Sequence, residues 1–155
     1  WFAPILSFTT EEIFQILNQK AQSSIHLESL PNISESWENK TLFEKWNNLK
    51  KVRKVVNTAI EIQRAQKEIG SSLEAAIKIN LNDEYLDLVK NINLPEYFIT
   101  SKVFCEKMKN NKTFFHLEDV PGVKVFVEKA SGKKCSRCWK ILEKPCERDV
   151  CGLKN

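Results

Sequence analysis

The residues best suited to chemistry are four cysteines close together in the sequence. Two residues separate Cys135 from Cys138, seven more lead to Cys146, and another four to Cys151. A C-x2-C turn lets two thiolates face one ion at about 2.3 Å from each sulfur, and four thiolates complete a tetrahedral structural zinc site. Lys133, Lys134 and Arg137 flank the first pair, where positive charge favours thiolate over thiol. Free thiols or a redox pair are the alternatives. A redox C-x-x-C usually opens a helix in a thioredoxin-like βαβ unit, whereas this pair follows Gly132 in a turn-like stretch. The fifth cysteine, Cys105, stands alone among apolar neighbours and reads as a small buried residue.

Trp139 follows the pair directly. It fits a lid packed on the knuckle, or an exposed platform for an unstacked base with Arg137 beside it, because RNA loops are read by stacking on aromatic and guanidinium planes. Lys133, Lys134, Lys140 and Lys144 add phosphate-attracting charge around it. Catalytic signatures are missing. There is no G-x-S-x-G, P-loop, G-x-G-x-x-G or H-E-x-x-H, and His26 and His116 lie far apart outside any motif.

Bulk properties agree with a binding role. The 155 residues are 42% hydrophobic, enough for one moderate core and a small satellite. The net charge of +4, from 24 basic and 20 acidic residues, permits a polyanionic partner without requiring one. Five cysteines cannot form a complete disulfide set, and clustered cysteines without a leader point to metal binding in a reducing, cytoplasmic setting. No apolar run of about 18 residues predicts a membrane span. The chain opens on Trp1 rather than Met, which predicts a piece of something longer.

Several elements must position these groups. Thr9 and Glu12 form a capping box for a helix over residues 10–19. Residues 21–40 read as a connector with a short extended piece at Ile25-His26-Leu27. Thr41 and Glu44 cap the strongest element, a helix of about 28 residues and roughly 42 Å. Phe43, Trp46, Leu49, Val52, Val56, Ala59, Ile60 and Ile69 recur along it at helical spacing, and Gly70 is placed to end it. Its basic face, with Lys50, Lys54 and Arg64 interrupted by Glu61, suits either solvent or a nucleic-acid backbone. Residues 75–80 suggest a strand, and Asn82 or Asp83 caps a helix reaching Ile92. Further strands are predicted at 97–99, 103–105, 113–117 and 123–127, the last two separated by a Val120-Pro121-Gly122 turn. The expected fold is α+β: a helical-bundle portion over residues 1–70, a small α+β unit over 71–130, and a zinc-knuckle tail over 131–155. The tail has few apolar side chains and needs its cysteines as a staple.

Three stretches together resemble bacterial isoleucyl-tRNA synthetases and span nearly the whole chain. Residues 1–12, reading Trp-Phe-Ala-Pro-Ile-Leu-Ser-Phe-Thr-Thr-Glu-Glu, are similar to a helix of the class I anticodon-binding domain that valyl and leucyl relatives share. Val52-Arg53 with Ile69-Gly70-Ser71-Ser72-Leu73-Glu74-Ala75 resembles a second family stretch. Lys134-Cys135-Ser136-Arg137-Cys138-Trp139 resembles the family's terminal knuckle, the most specific of the three. The resemblance implies a grip on the anticodon stem-loop of tRNA-Ile, with Arg137 and Trp139 near the anticodon; Lys133, Lys134, Lys140 and Arg53 are the further candidates for RNA contact. It also implies one structural zinc ion on Cys135, Cys138, Cys146 and Cys151, and a monomer with no membrane partner. ATP and Mg would belong to upstream catalytic and editing domains. The family usually closes its zinc site with a second C-x2-C, but Cys151-Gly152-Leu153 is followed here by Lys154. Either Cys146 supplies the fourth ligand, or the site has three, or the metal is lost. A zinc-knuckle DNA-binding fragment like a DNA glycosylase tail, and a scaffold whose knuckle only stabilises the fold, are the alternative functions.

Overall fold

A computed structural model describes residues 1–19, 23–108, 114–146 and 151. The chain forms two compact units, Trp1–Asn39 and Lys40–Asn155.

In the first unit, helix α1 spans Ser7–Leu17. It starts before the expected Thr9 cap because the turn around Pro4 winds straight into it. Ile5 and Leu6 both donate backbone N–H to the Phe2 carbonyl, and Thr10 N–H then bonds the Leu6 carbonyl. Thr10 lies inside the helix, its hydroxyl donating to the Leu6 carbonyl at 2.8 Å. Glu11, rather than Glu12, anchors the turn after the helix: its carboxylate accepts from the Ser24 hydroxyl at 2.8 Å and from Ile25 N–H at 2.9 Å. A hydrogen bond from Gln15 first, and then these donors, hold its pKa below the usual carboxylate value. The predicted extended piece is instead a 3-10 turn, Ile25–Leu27, capped by the Ser24 hydroxyl. A second such turn spans Glu35–Trp37.

The second unit is built on helix α2, Lys40–Ala65, of 26 residues. Thr41 therefore sits within its first turn rather than capping it. Leu49, Val52, Val55, Val56, Ala59 and Ile60 are buried along one side. The next turn of that side offers only Gln63, Arg64 and Lys67, so the helix has nothing more to pack and ends. Lys67 takes φ 62°, Glu68 N–H bonds the Gln63 carbonyl, and Lys67 N–H bonds the Arg64 carbonyl. That is a Schellman closure with lysine in the left-handed position. Gly70, expected to end the helix, lies beyond it, its N–H donating to the Glu74 carboxylate at 3.0 Å. The turn returns Ile69 to the core.

Strand β1, Ala75–Leu81, is central in a three-stranded sheet. It is parallel to β2, Lys102–Lys107, and antiparallel to β3, Val123–Lys129. Ala75, Ile77, Ile79 and Leu81 join Val123, Val125, Val127 and α2 in one buried cluster. Helix α3, Asp83–Val89, begins where the Asn82 side chain accepts from Tyr85 N–H at 3.0 Å. Gly122 is required opposite it. The residue has φ 90°, and a Cβ there would come within 2.5 Å of the Asn82 amide nitrogen.

The expected strand at 97–99 is not one. Asn93 caps a short helix α4, Leu94–Tyr97, with Pro95 in its first turn. Proline at this place costs no helical hydrogen bond. The predicted strand at 113–117 includes Thr113, which lies outside the described residues. Phe115 beyond it makes only an isolated bridge to Val125. Cys105 is exposed rather than buried, because β2 forms the sheet edge. A two-stranded hairpin, β4 (Lys133–Lys134) with β5 (Ile141–Leu142), completes the α+β fold. Among the described residues, no helix is long and apolar enough to cross a membrane.

Candidate metal centre and nucleic-acid interface

The hairpin exists to hold a loop. Gly132 makes its entry possible: with φ 127°, it passes so close to the returning chain that a Cβ would sit 2.3 Å from the Leu142 carbonyl oxygen. β4 and β5 pair Lys133 with Leu142 and Lys134 with Ile141. Cys135 N–H then bonds the Lys140 carbonyl and Trp139 N–H bonds the Cys135 carbonyl, both at 2.9 Å. Trp139 adopts φ 62°, the left-handed step that reverses the chain after Cys138.

Four sulfurs converge beside this hairpin. The Sγ atoms of Cys135, Cys138, Cys146 and Cys151 lie within 4.8 Å of one another. Cys138 and Cys146 are 3.9 Å apart, too far for a disulfide. A tetrahedron with metal–sulfur bonds of about 2.3 Å has an edge of about 3.8 Å, so the cluster matches a four-thiolate metal site in size and ligand count. Cys146, the residue that the irregular spacing left open, is one of the four.

The charge state fits as well. The backbone N–H groups of Cys138 and Arg137 point at the Cys135 sulfur and, with the Cys138 thiol, lower its pKa to about 7. Cys151 is pushed up to about 12, first by burial and then by hydrogen bonding with the other sulfurs. The two thiols are pushed in opposite directions, since several negative sulfurs cannot share so small a space without a cation. A bound divalent ion would remove that conflict.

The family model for the anticodon-binding domain of tRNA ligase matches residues 1–80. The chain belongs to that family. The match covers α1, α2 and most of β1, while other similarities extend over the knuckle. The chain is 46% identical to an isoleucine–tRNA ligase of Pelagibacter ubique over 148 residues, 96% of this chain and 15% of that protein. It is 42% identical to one of Bradyrhizobium diazoefficiens over 144 residues, 92% of this chain and 14% of that protein. It is 38% identical to one of Rhodopseudomonas palustris over 146 residues, again 92% and 14%. The chain thus spans about 15% of the length of these relatives.

The basic residues of this anticodon-binding family member fall into two groups. Lys133, Lys134 and Arg137 are exposed around the hairpin, and Trp139 is 61% exposed. The fold therefore does not use Trp139 as a lid. Lys140 differs: its side chain is only 14% exposed and its ammonium pairs with Glu96 at 3.1 Å. Arg53 is elsewhere, on α2, with its guanidinium 5.3 Å from the Tyr97 ring centroid. Its Nε is buried and has no hydrogen-bond partner among the described residues.

Two positioning residues carry no signal in the sequence. Ser101 is buried, accepts Ile141 N–H at 2.6 Å and donates to the Leu73 carbonyl, joining β5 to the start of β1. Glu143 accepts from Ser131 at 3.0 Å and pairs with Lys102 at 3.3 Å, which holds its pKa low. No local pattern marks either residue, because their bonds span 12 to 41 positions of sequence.

Proposed function

We propose that this chain is the part of an isoleucine–tRNA ligase that grips the anticodon stem-loop of tRNA-Ile. Family membership and the 38–46% identities to isoleucine–tRNA ligases support the partner. The observation that carries the reading is the exposed Trp139 and Arg137 on a turn that four clustered sulfurs fix.

Cys135, Cys138, Cys146 and Cys151 would hold one structural zinc ion. Bound there, zinc supplies a rigid cross-link and charge neutralisation, not a reacting group. The remaining work belongs to the side chains. Trp139 stacks on an unpaired anticodon-loop base, Arg137 stacks or bonds beside it, and Lys133 and Lys134 meet the backbone phosphates. Lys140 contributes by fixing the loop to Glu96, and Arg53 by fixing α2 to Tyr97. Attachment of isoleucine with ATP and Mg, and editing, would belong to other domains of the same cytoplasmic, monomeric protein.

The test is Trp139→Ala in the full-length protein. Loss of one stacked base should weaken tRNA-Ile binding by about 1–3 kcal/mol, read by filter binding at fixed salt. Unchanged affinity with an intact fold would refute the role of Trp139.

A further inference from the structure

The four sulfurs of the knuckle are not equally reachable. All four cysteines are partly exposed, but Cys146 is reached from two sides. It lines a cleft of about 620 Å³ with Gly132, Cys135, Pro145 and Cys151. It also lines a second cleft of about 620 Å³, between the knuckle and the sheet, with Ser101, Phe104 and Ile141. Cys138 lines neither cleft, yet its sulfur lies 3.9 Å from that of Cys146. A disulfide needs about 2.05 Å, so the two sulfurs close by roughly 1.9 Å to form one. No strand pairing holds either residue back: Cys138 is in the turn between β4 and β5, and Cys146 lies past the end of β5. Cys135 is different, because its N–H and its carbonyl are both bonded within the hairpin. An accessible sulfur therefore sits beside a sheltered one, and the sheltered one directly precedes Trp139.

We propose that Cys146 and Cys138 are a peroxide-sensitive pair: oxidation joins them in a disulfide, withdraws two of the four zinc ligands and unfastens the Trp139 loop, lowering affinity for tRNA-Ile until a thiol reductant restores it. Metal ligation keeps a sulfur in its thiolate form. Exposure and a neighbouring thiol then decide which cysteine a hydroperoxide attacks. The Cys146 sulfur gives an electron pair to one oxygen of hydrogen peroxide; the O–O bond breaks, hydroxide leaves, and a sulfenic acid forms. The Cys138 thiolate attacks that sulfur; the S–S bond forms, the S–O bond breaks, and a second hydroxide leaves. Two thiolates are oxidised and one peroxide is reduced to two hydroxides. Cys135 and Cys151 alone fall short of the four ligands of a structural zinc site. The knuckle has little else to keep its shape, since Ile141 and Leu142 are only half-buried. Trp139, at φ 62° and bonded through its N–H to the Cys135 carbonyl, is the next residue along from the sulfur that moves. The loss of zinc and of tRNA-Ile affinity rests on the function proposed above; the Cys138–Cys146 bridge does not.

The experiment treats zinc-loaded full-length protein with hydrogen peroxide. A chromogenic chelator follows zinc release, and mass spectrometry maps disulfide-linked peptides. Affinity for tRNA-Ile is measured before oxidation, after it, and after a thiol reductant with added zinc. A Cys138–Cys146 peptide should appear at the rate of zinc release. Affinity for tRNA-Ile should fall by about five- to 150-fold, the loss of one stacked base, and recover on reduction. Zinc that stays bound with all four thiols intact overturns the inference. So does a bridge confined to Cys135 and Cys138, or a Cys146 carried to a sulfinic or sulfonic acid that a thiol cannot reverse. A bridge with released zinc but unchanged tRNA-Ile affinity overturns the switch. In that case a weakened Trp139→Ala leaves the proposed function standing, and an unweakened one overturns it as well. Protein that takes up no zinc before peroxide is added overturns the metal reading, and the switch with it.

Discussion

Cys146 is the cysteine whose removal tests the proposed metal centre most sharply. Its sulfur lies 3.9 Å from that of Cys138, against about 3.8 Å for a tetrahedral edge. Structural zinc sites bind with about 10–16 kcal/mol at neutral pH. Divided over four thiolates, each ligand carries roughly 2.5–4 kcal/mol, or about 70- to 900-fold in affinity. Cys146→Ser keeps the size of the side chain but supplies a hydroxyl, a poor zinc ligand at neutral pH. The variant should hold zinc at least about 70-fold more weakly than the wild type. Competition with a chromogenic chelator measures this directly, with Cys135→Ser as the reference. If Cys146 is a full ligand, the two variants fall together. Wild-type zinc affinity in Cys146→Ser, alongside weakened affinity in Cys135→Ser, would refute a four-thiolate site and leave three sulfurs with an outside ligand.

Other perturbations probe the supports. Gly132→Ala should disrupt the hairpin, because its Cβ meets backbone rather than a movable side chain and φ 127° is closed to alanine; proteolysis should open the knuckle while the melting of the α2 and sheet unit stays nearly unchanged. Ser101→Ala strands Ile141 N–H and the Leu73 carbonyl and should cost about 1–3 kcal/mol, seen as faster amide exchange at Ile141. Asp119 has its carboxyl pKa lowered first by the hydrogen bond from Lys54. A group lowered on folding stabilises above its unfolded pKa and loses that contribution as pH falls through its folded one. An NMR titration should therefore place Asp119 below ordinary aspartates, and Lys54→Met should return it to the usual range. An unshifted Asp119 in the wild type contradicts the ion pair.

Much of the second unit could be read from sequence because its signals are local and mutually consistent. The buried side of α2 follows helical spacing from Leu49 to Ile60, β1 and β3 match their apolar runs, and Asn82 caps α3 as its position suggested. The errors have a common origin. Gly70 looked like the helix end because glycine is the usual left-handed residue. The helix instead ends where its apolar side runs out, with Lys67 accepting the strain. Tyr97-Phe98-Ile99 looked like a strand by composition, yet Asn93 and Pro95 impose a helical turn just before it. Cys105 sits in an apolar run, but only strand order reveals that this run is an edge. Spacing gave the four cysteines without giving their closure. Two residues on one side and four on the other become equivalent only once the hairpin brings Cys146 back to Cys138.

The division of the basic residues follows from the same tertiary logic. Composition alone makes Lys133, Lys134, Lys140 and Arg53 equal candidates for phosphate. The four-residue helix α4 separates them. Its Glu96 takes the Lys140 ammonium and its Tyr97 takes the Arg53 guanidinium, so one short element ties both α2 and the knuckle loop to itself. A lysine with a side chain 14% exposed in an ion pair must break that pair and be rehydrated before it can meet RNA. Lys133, Lys134 and Arg137 lie exposed on the hairpin and carry no such barrier. Exposed charge and ion-paired charge thus alternate within one stretch of eight residues. The Lys140–Glu96 pair holds the hairpin loop against α4, where apolar packing alone is scarce.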